Sequence, residues 1–186
     1  RADRGDSVPD ATALAVPSGF CAMLGDSSGE PGPREADVSP ALAAIRPTRE
    51  ELRKWYSLMH MGRVRDEKAP NYLKQGLGWS YHAPCAGHDG IQVALGTTFR
   101  PAFDYLFPYY RDLTTCLAAG VTPEQILLNG MSKASDVSSG GRHMSNHFAR
   151  HDLYIWNVSS CVANHAQHAA GLGRAIRSYG LSSLVY

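Results

Sequence analysis

The chain has 186 residues, of which 44% are hydrophobic and 19% charged, as is typical of one globular domain with some non-globular sequence. Its 18 lysine and arginine residues against 17 acids give a formal charge of +1, which favours neither nucleic acid nor an anionic membrane as partner. No apolar run approaches the roughly 20 residues that cross a bilayer, so we expect a soluble intracellular protein.

Residues 1–47 are rich in Pro, Gly, Ser, Asp and Ala without a sustained period, which predicts a flexible N-terminal arm. The chain starts at Arg1 rather than Met and stops at Tyr186 inside an apolar run, so we expect a fragment of a longer protein. The cysteines show no CxxC spacing, which argues against a zinc knuckle and a disulfide framework. They are Cys21, Cys85, Cys116 and Cys161.

Two helices are predicted from capping boxes, in which a hydroxyl residue and an acid or amide three residues later bond each other's backbone amides. Thr48 and Glu51 form the first pair, ahead of an apolar-periodic stretch that predicts about four to five helical turns. Thr122 and Gln125 form the second pair, with Pro123 at the first helical position. Ordered structure is therefore expected from Thr48 onward.

A third helix is predicted from about residue 162 to residue 179, with Gly180 marking its end. Gly171 and Gly173 inside it each cost roughly 1 kcal/mol of helix propensity, so we expect close packing against a neighbouring element. Residues 184–186 then read as the start of a buried strand. A helix followed by a buried strand is typical of α/β layers, which predicts an α/β fold.

Residues 107–112, FPYYRD, join two tyrosines to a guanidinium. The planar fork of Arg111 matches phosphate or carboxylate oxygens, so an anion site is one interpretation. The alternative is that Tyr109 and Tyr110 are partly buried packing residues and that Arg111 pairs with Asp112 or another acid.

Residues 140–147, GGRHMSNH, form a glycine-led loop with two imidazoles and a thioether, a composition that often lines sites. His143 and His147 have the i, i+4 spacing of two ligands on a helical turn. The glutamate of HExxH is missing, however, and Ser145 and Asn146 disfavour a helix, so a transition-metal site is the weaker interpretation.

Residues 159–165, SSCVANH, place hydroxyls before a helix whose first amides lack intrahelical partners. A plain helix cap is one interpretation. The functional alternative is a polar cofactor edge, together with a monovalent cation bound by Ser159, Asn164 and backbone carbonyls. Periodicity alone does not choose between them.

The order and spacing of these segments resemble the α subunit of the decarboxylating component of branched-chain 2-oxo acid dehydrogenase complexes. Residues 80–90, SYHAPCAGHDG, resemble the family's aromatic, Ala-Pro, Gly-His/Gln-Glu loop, and residues 107–112 its Pro-Tyr-Tyr-Arg-Asp segment. Residues 141–147 resemble Gly-Arg-Gln-Met-Pro-x-His, and residues 159–165 resemble Ser-Ser-Pro-x-Ala-Thr/Ser-Gln/His. This sequence departs from the family by having Ser145 and Cys161 at proline positions.

The resemblance implies a thiamin diphosphate-binding fold, with helices around a mainly parallel sheet, of which residues 48–186 are the N-terminal part, truncated after the first core strand. It implies magnesium, with ligands beyond residue 186, and possible potassium. Implied cofactor contacts come from Tyr109, Tyr110, Arg111, Ser160, Cys161 and Val162. The implied substrate pocket comprises Tyr81, Tyr110, Met144, Ser145, Asn146, His147 and Ser160, with His147 as the catalytic residue that positions the substrate. The implied potassium ligands are Ser159, Cys161, Asn164 and His165.

The implied partners are a β subunit in an α2β2 heterotetramer, a lipoyl-bearing acyltransferase and a branched-chain 2-oxo acid. No nucleic acid or membrane is expected, and the expected compartment is a bacterial cytoplasm or, alternatively, a mitochondrial matrix. Arg142, Met144 and His147 favour the branched-chain type over pyruvate or acetoin dehydrogenase. A non-catalytic assembly relative and a histidine-based metalloenzyme remain as alternatives.

Overall fold

The computed structural model describes residues 46–157 and 159–186, and the predicted arm, residues 1–47, lies outside this range except for its last two residues. Thr48–Tyr186 forms one unit. In the described part of the chain, no helix is long and apolar enough to cross a membrane.

Helix α1 spans Arg49–Lys74, and its 26 residues make it longer than the sequence predicts. The capping box is confirmed, because Glu51 N donates to Thr48 Oγ1 at 3.2 Å and Thr48 N donates to Glu51 Oε2 at 2.8 Å. The helix continues through Pro70, which lies in its last two turns. It buries a charged pair, Arg65 and Asp66, on the side that faces the rest of the unit.

Helices α2 (Asp89–Thr98) and α3 (Leu113–Ala118) pack against each other and against α1. Their approach needs a glycine, because a Cβ at Gly96 would lie 2.5 Å from the Thr115 carbonyl oxygen. The result is a three-helix layer that carries the buried Arg65 of α1 on one side.

Helix α4 (Pro123–Gly130) begins at the predicted capping box of Thr122 and Gln125, which is confirmed. A short 3-10 turn follows at His151–Leu153. Helix α5 (Asn164–Ser178) confirms the third predicted helix, and Gly180 follows it with a φ of 66°.

The close packing predicted around the two glycines of α5 is wrong. A Cβ added at Gly171 or at Gly173 would meet nothing within 4 Å among the described residues. The glycine face of α5 is therefore open, and the propensity cost of these residues has no packing explanation within this part of the chain.

The hydrophobic core lies between the helical layer and the segments that follow α2 and α4. It contains Cys85, Phe99, Leu106, Leu113, Cys116, Leu117, Ala119, Val121, Ile126, Phe148 and Ile155.

The predicted parallel sheet is not confirmed, since the described residues contain isolated bridges and no strand. Tyr105 forms a parallel bridge with Val185, and Leu106 forms one with Ile155 on its other side. The segment predicted to start a strand thus pairs through one residue, with the Tyr105 amide donating to the Leu184 carbonyl at 2.9 Å. Three extended segments lie side by side, but each is too short to be a strand.

Candidate active site

One buried carboxylate, that of Asp136, holds the loop that follows α4. Asp136 is 4% exposed and accepts hydrogen bonds from Ser138 N at 3.0 Å and from Ser139 N and Oγ at 3.1 and 2.9 Å. Gly141, at a φ of 75°, would place a Cβ 2.5 Å from the Ser132 carbonyl oxygen, so the turn requires glycine. These contacts fix the start of the segment that carries His143 and His147.

Ser145 and Asn146 are fully buried beneath this loop. Ser145 Oγ donates to the Gly130 carbonyl at 3.1 Å. Asn146 Nδ2 donates to the Ala83 carbonyl at 3.0 Å, and its backbone amide donates to Asn129 Oδ1 at 3.1 Å. Both side chains therefore bond the protein interior, and the structure does not bring them to the pocket surface expected from the sequence.

His147 is 2% exposed, and its two ring nitrogens have different partners. Nδ1 lies 3.1 Å from the Ser145 carbonyl, which can only accept, so Nδ1 carries the proton. Nε2 then accepts from the Ser160 hydroxyl at 2.9 Å. Burial, more than any other cause, lowers the pKa of His147 from its ordinary value, although the bond to Ser145 opposes the shift. The imidazole is therefore neutral near pH 7, with one fixed tautomer.

Aromatic rings join His147 to two other predicted segments. The Tyr110 ring centroid lies 5.9 Å from that of His147, and Tyr81 meets Tyr110 edge-on at 5.8 Å. The ring centroids of Tyr109 and Tyr110 lie 3.9 Å apart, with the rings tilted to each other. The Tyr109 hydroxyl donates to the Tyr110 hydroxyl. The ring centroids of His143 and His147 lie 4.5 Å apart. Residues up to 66 positions apart in the sequence, from Tyr81 to His147, thus form one cluster.

Arg111 lies at the edge of this cluster. The alternative interpretation required an ion pair with Asp112 or another acid, and Arg111 forms none with the described residues. Its NH1 donates to the Pro84 carbonyl at 3.1 Å. Asp112 instead accepts from Tyr109 N at 2.8 Å, and burial raises the pKa of its carboxyl group. Gln92 holds the same turn by donating to the Arg111 carbonyl at 2.8 Å.

Sequence reasoning missed Gln92, although a signal was present. Gln92 is 2% exposed on α2, and its Oε1 also accepts from Thr114 N at 3.1 Å. An amide within an apolar helix stretch is a buried polar group that needs partners. Here those partners are the Arg111 carbonyl and the Thr114 amide, which lie on either side of Asp112 in the sequence.

The start of α5 differs from a plain helix cap. Ala163 precedes the helix with a φ of 64°, and no side chain caps the first turn. Ser160 bonds His147 instead, while Cys161 N donates to Ser159 Oγ at 3.4 Å. Val162 is 73% exposed. The hydroxyls and side chains of this segment therefore face the cluster and solvent.

An open cleft of about 480 Å³ lies beside this segment, lined by His143, Asn157, Ser159, Asn164 and His168. The buried Oδ1 atoms of Asn157 and Asn164 have no hydrogen-bond partner in the described part of the chain. Amide and hydroxyl oxygens are the ligands that hard cations prefer, so this donor set fits a monovalent cation. Ser159 and Asn164 line the cleft, whereas Cys161 and His165 do not, and His165 lies 5.5 Å from the Tyr109 ring.

The described residues contain no group of three or more His, Cys, Asp or Glu side chains that could hold a metal ion. Histidines of this region have protein partners: His147 bonds Ser145 and Ser160, and His168 Nδ1 lies 3.0 Å from the Asn164 carbonyl.

Comparison with known proteins indicates the family of this chain. The family model described as "Dehydrogenase E1 component" matches residues 56–185. The chain is 33% identical over 134 residues to the 2-oxoisovalerate dehydrogenase subunit alpha of Bacillus subtilis (strain 168), which covers 72% of this chain and 40% of that protein. It is 30% identical over 128 residues to the pyruvate dehydrogenase E1 component subunit alpha of Mycoplasma genitalium, which covers 68% of this chain and 32% of that protein.

A further relative is the 3-methyl-2-oxobutanoate dehydrogenase subunit alpha of Mycobacterium tuberculosis, 33% identical over 78 residues, or 41% of this chain and 21% of that protein. The chain thus spans two fifths or less of the length of these curated relatives. The family model covers more than two thirds of the chain and includes every segment of the cluster. The chain belongs to the dehydrogenase E1 component family.

Proposed function

We propose that this chain forms the α-subunit side of the active site of a thiamin diphosphate-dependent 2-oxo acid dehydrogenase of the branched-chain type. The reaction is oxidative decarboxylation of a 2-oxo acid, with acyl transfer to a lipoyl-bearing partner. The carrying observation is that Tyr110, His147 and Ser160 meet beside Arg111 in a member of the E1 family. The fold in the proposal is the thiamin diphosphate-binding fold, with residues 48–186 as its N-terminal part.

Bound thiamin diphosphate supplies the electron sink for decarboxylation. In the proposal Arg111 donates to the diphosphate, with Tyr109 and Tyr110 beside it, because a guanidinium fork matches phosphate oxygens. Gln92 supports this role by holding the Arg111 carbonyl from beneath. The aminopyrimidine ring would lie beside Ser160, Cys161 and Val162, whose exposure leaves room for contact.

The substrate side of the proposal follows from the tautomer of His147. Because Nδ1–H is bonded to Ser145 and Nε2 is an acceptor, the neutral ring cannot donate to a carboxylate. The donors for a 2-oxo acid carboxylate are then the hydroxyls of Tyr110 and Tyr81, because Ser160 gives its single hydroxyl proton to His147 and lines the pocket with an oxygen that can only accept. Met144 is 43% exposed, and its thioether offers an apolar, polarizable contact for an aliphatic tail.

Two sequence expectations take a different form in this proposal. Ser145 and Asn146 support the pocket from below rather than contact substrate, because both are fully buried. Potassium is proposed at the cleft beside α5, held by Ser159 and Asn164, whereas the other two expected ligands, Cys161 and His165, do not line this cleft and are not included. The unpartnered Oδ1 of Asn164 supports the site.

The proposal includes the partners that the resemblance of the sequence motifs implies. These are a β subunit, in an α2β2 heterotetramer that supplies the acid activating the cofactor, and a lipoyl-bearing acyltransferase. Magnesium would be bound by residues outside this chain. The proposed compartment is a bacterial cytoplasm, in line with the Bacillus subtilis relative, with the mitochondrial matrix as the alternative.

A pyruvate dehydrogenase α subunit is the second candidate, favoured by the similarity to the Mycoplasma genitalium protein. The test is to co-express the full-length α chain with a β subunit and to follow carbon dioxide release from 3-methyl-2-oxobutanoate, pyruvate and other 2-oxo acids. We expect the branched-chain acid to give the highest kcat/KM. Preference for pyruvate would favour the second candidate, and no decarboxylation despite bound cofactor would refute both.

The role of His147 is tested in the same assembly. We expect His147→Ala to lower kcat/KM at least tenfold while cofactor affinity changes little, because the residue touches Ser160 rather than Arg111. His60→Ala is the matched control, since His60 is an exposed histidine on α1 that stacks on Tyr56. A loss of cofactor affinity with unchanged turnover would place His147 in another role.

A further inference from the structure

A buried arginine on α1 contacts the underside of the candidate site. The Arg65 side chain is 8% exposed, and its NH1 lies 3.3 Å from Asp66 Oδ1 and 3.2 Å from His82 Nδ1. Its guanidinium carbon lies 4.7 Å from the centre of the Trp79 ring. Its other terminal nitrogen, NH2, donates to Asn146 Oδ1. One side chain thus joins α1 to the segment that carries His147.

Asn146 is tethered at three points, and Arg65 supplies one of them. The Asn146 Oδ1 atom accepts from Arg65, its Nδ2 donates to the Ala83 carbonyl, and its backbone amide donates to Asn129 Oδ1. The residue has a φ of 69°, in the left-handed region that an L side chain other than Asn or Asp rarely adopts. Fixing the side chain at both ends stabilises this backbone conformation.

The backbone conformation at Asn146 determines what His147 can bond. The Nδ1 atom of His147 reaches back two residues to the Ser145 carbonyl, across the left-handed residue between them. This bond fixes the proton on Nδ1 and leaves Nε2 to accept from Ser160. A different backbone conformation at Asn146 would move the Ser145 carbonyl relative to the His147 ring. The hydrogen bond that fixes the proton on Nδ1 would then be lost.

We propose that Arg65 is a positioning residue, which acts through the tethered Asn146 to hold His147 in the Nδ1–H tautomer and aim its Nε2 at Ser160. The proposal about orientation concerns this chain alone. Its consequence for turnover rests on the proposed function.

The direct test is the ring ¹⁵N NMR spectrum of His147 in the intact chain, which distinguishes a protonated from an unprotonated ring nitrogen. We expect wild type to show Nδ1–H, and Arg65→Met to show a mixture of tautomers. Arg63→Met is the matched control, because Arg63 lies two residues away on α1 and pairs with Asp89 at 2.6 Å, outside the network. It should keep the wild-type spectrum.

A second variant covers the case in which Arg65→Met does not fold. Asn146→Gly accepts the positive φ but lacks both side-chain tethers, so it too should show mixed tautomers. A pure Nδ1–H signal in either folded variant would overturn the proposal.

The turnover consequence is measured separately, with the β subunit present. Arg65→Met should lower kcat at least tenfold with thiamin diphosphate affinity unchanged, whereas Arg63→Met should not. If the wild-type assembly decarboxylates no 2-oxo acid, the proposed function fails and the tautomer result still decides the role of Arg65. Unchanged kcat in Arg65→Met would contradict the catalytic part.

Discussion

Two regions meet at Ser160, and they differ in how completely this chain satisfies their polar groups. The first is the buried network, formed by Arg65, Asn129, Asp136, Ser145 and Asn146, in which most donors and acceptors bond other protein groups, although the Arg65 Nε has no partner among the described residues. The second is the α5 entrance, which comprises Asn157 and residues 159–164; two of its amide oxygens find no partner in the described part of the chain, and Val162 is exposed. A satisfied network is rigid and preformed, whereas unsatisfied groups have binding capacity left. We therefore propose that the buried network supports the site and that the α5 entrance contacts the ligand.

The largest expected effect comes from removing the central acceptor of the buried network. Asp136→Ala leaves several part-buried donors without a partner, including those of Ser138 and Ser139, so we expect a loss of about 3–5 kcal/mol in the free energy of unfolding. Urea denaturation measures it. The control is Asp152→Ala, since Asp152 is an exposed acid paired with Arg150, and it should leave the midpoint nearly unchanged. An equal loss of stability in the two variants would show that the buried network stabilises the chain no more than a surface ion pair does.

A second test asks how tightly the network is packed. A Cβ at Gly130 would lie 2.2 Å from the Trp79 ring, which is itself stacked against Tyr72 and beneath Arg65. Because the ring has no space to move, we expect Gly130→Ala to destabilise the chain by about 2–3 kcal/mol through overpacking. An unchanged urea midpoint would show that the region adapts and is not preformed.

The pH dependence of stability tests the burial of two histidines that contact the buried network, His82 and His147. Burial lowers the pKa of His147 and of His82 below the ordinary value of 6.5. As pH falls through 6.5 the unfolded chain takes up protons that the folded chain does not, so stability is full above this pH and falls below it. Urea midpoints at pH 7.5 and 5.5 should show this fall, and it should be smaller in His147→Gln. A fall of the same size in the variant would place the titrating group elsewhere.

The smallest expected effect has the opposite sign and lies on α5. Gly171→Ala meets no atom within 4 Å among the described residues, so it gains helix propensity without a clash. We expect stabilisation of about 0.5–1 kcal/mol in urea denaturation of the chain alone. If a partner subunit packs on this face, the same variant should weaken assembly. Destabilisation of the isolated chain would contradict the open face.

Local sequence signals predicted the helices well, because a capping box is complete within four residues. Both boxes formed as expected, at Thr48 and at Thr122. The sequence motifs also identified segments that lie together in the structure, since Tyr110, His147 and Ser160 do meet. The length of α1 was underestimated because the helix continues through Pro70.

The buried network could not be predicted, because its bonds join residues far apart in the sequence. Arg65 and Asn146 are 81 residues apart, and no local pattern indicates that they meet. The expected sheet is not confirmed among the described residues for a related reason: residues 184–186 pair through one bridge, and an apolar run alone does not indicate how many neighbouring segments it will pair with. Asn146 was expected to contact substrate because it lies in the motif, but it is fully buried, and we therefore propose a supporting role for it.

The central claim is that the cluster beside the α5 entrance binds the diphosphate of thiamin diphosphate through Arg111. The most direct measurement is a calorimetric titration of thiamin diphosphate, with magnesium, into the α/β assembly of wild type, Arg111→Ala and the control Arg63→Met. We expect Arg111→Ala to lose about 1.5–3 kcal/mol of binding free energy, as for a charge-assisted hydrogen bond, and Arg63→Met to bind like wild type. An unchanged affinity in a folded Arg111→Ala assembly would contradict the account.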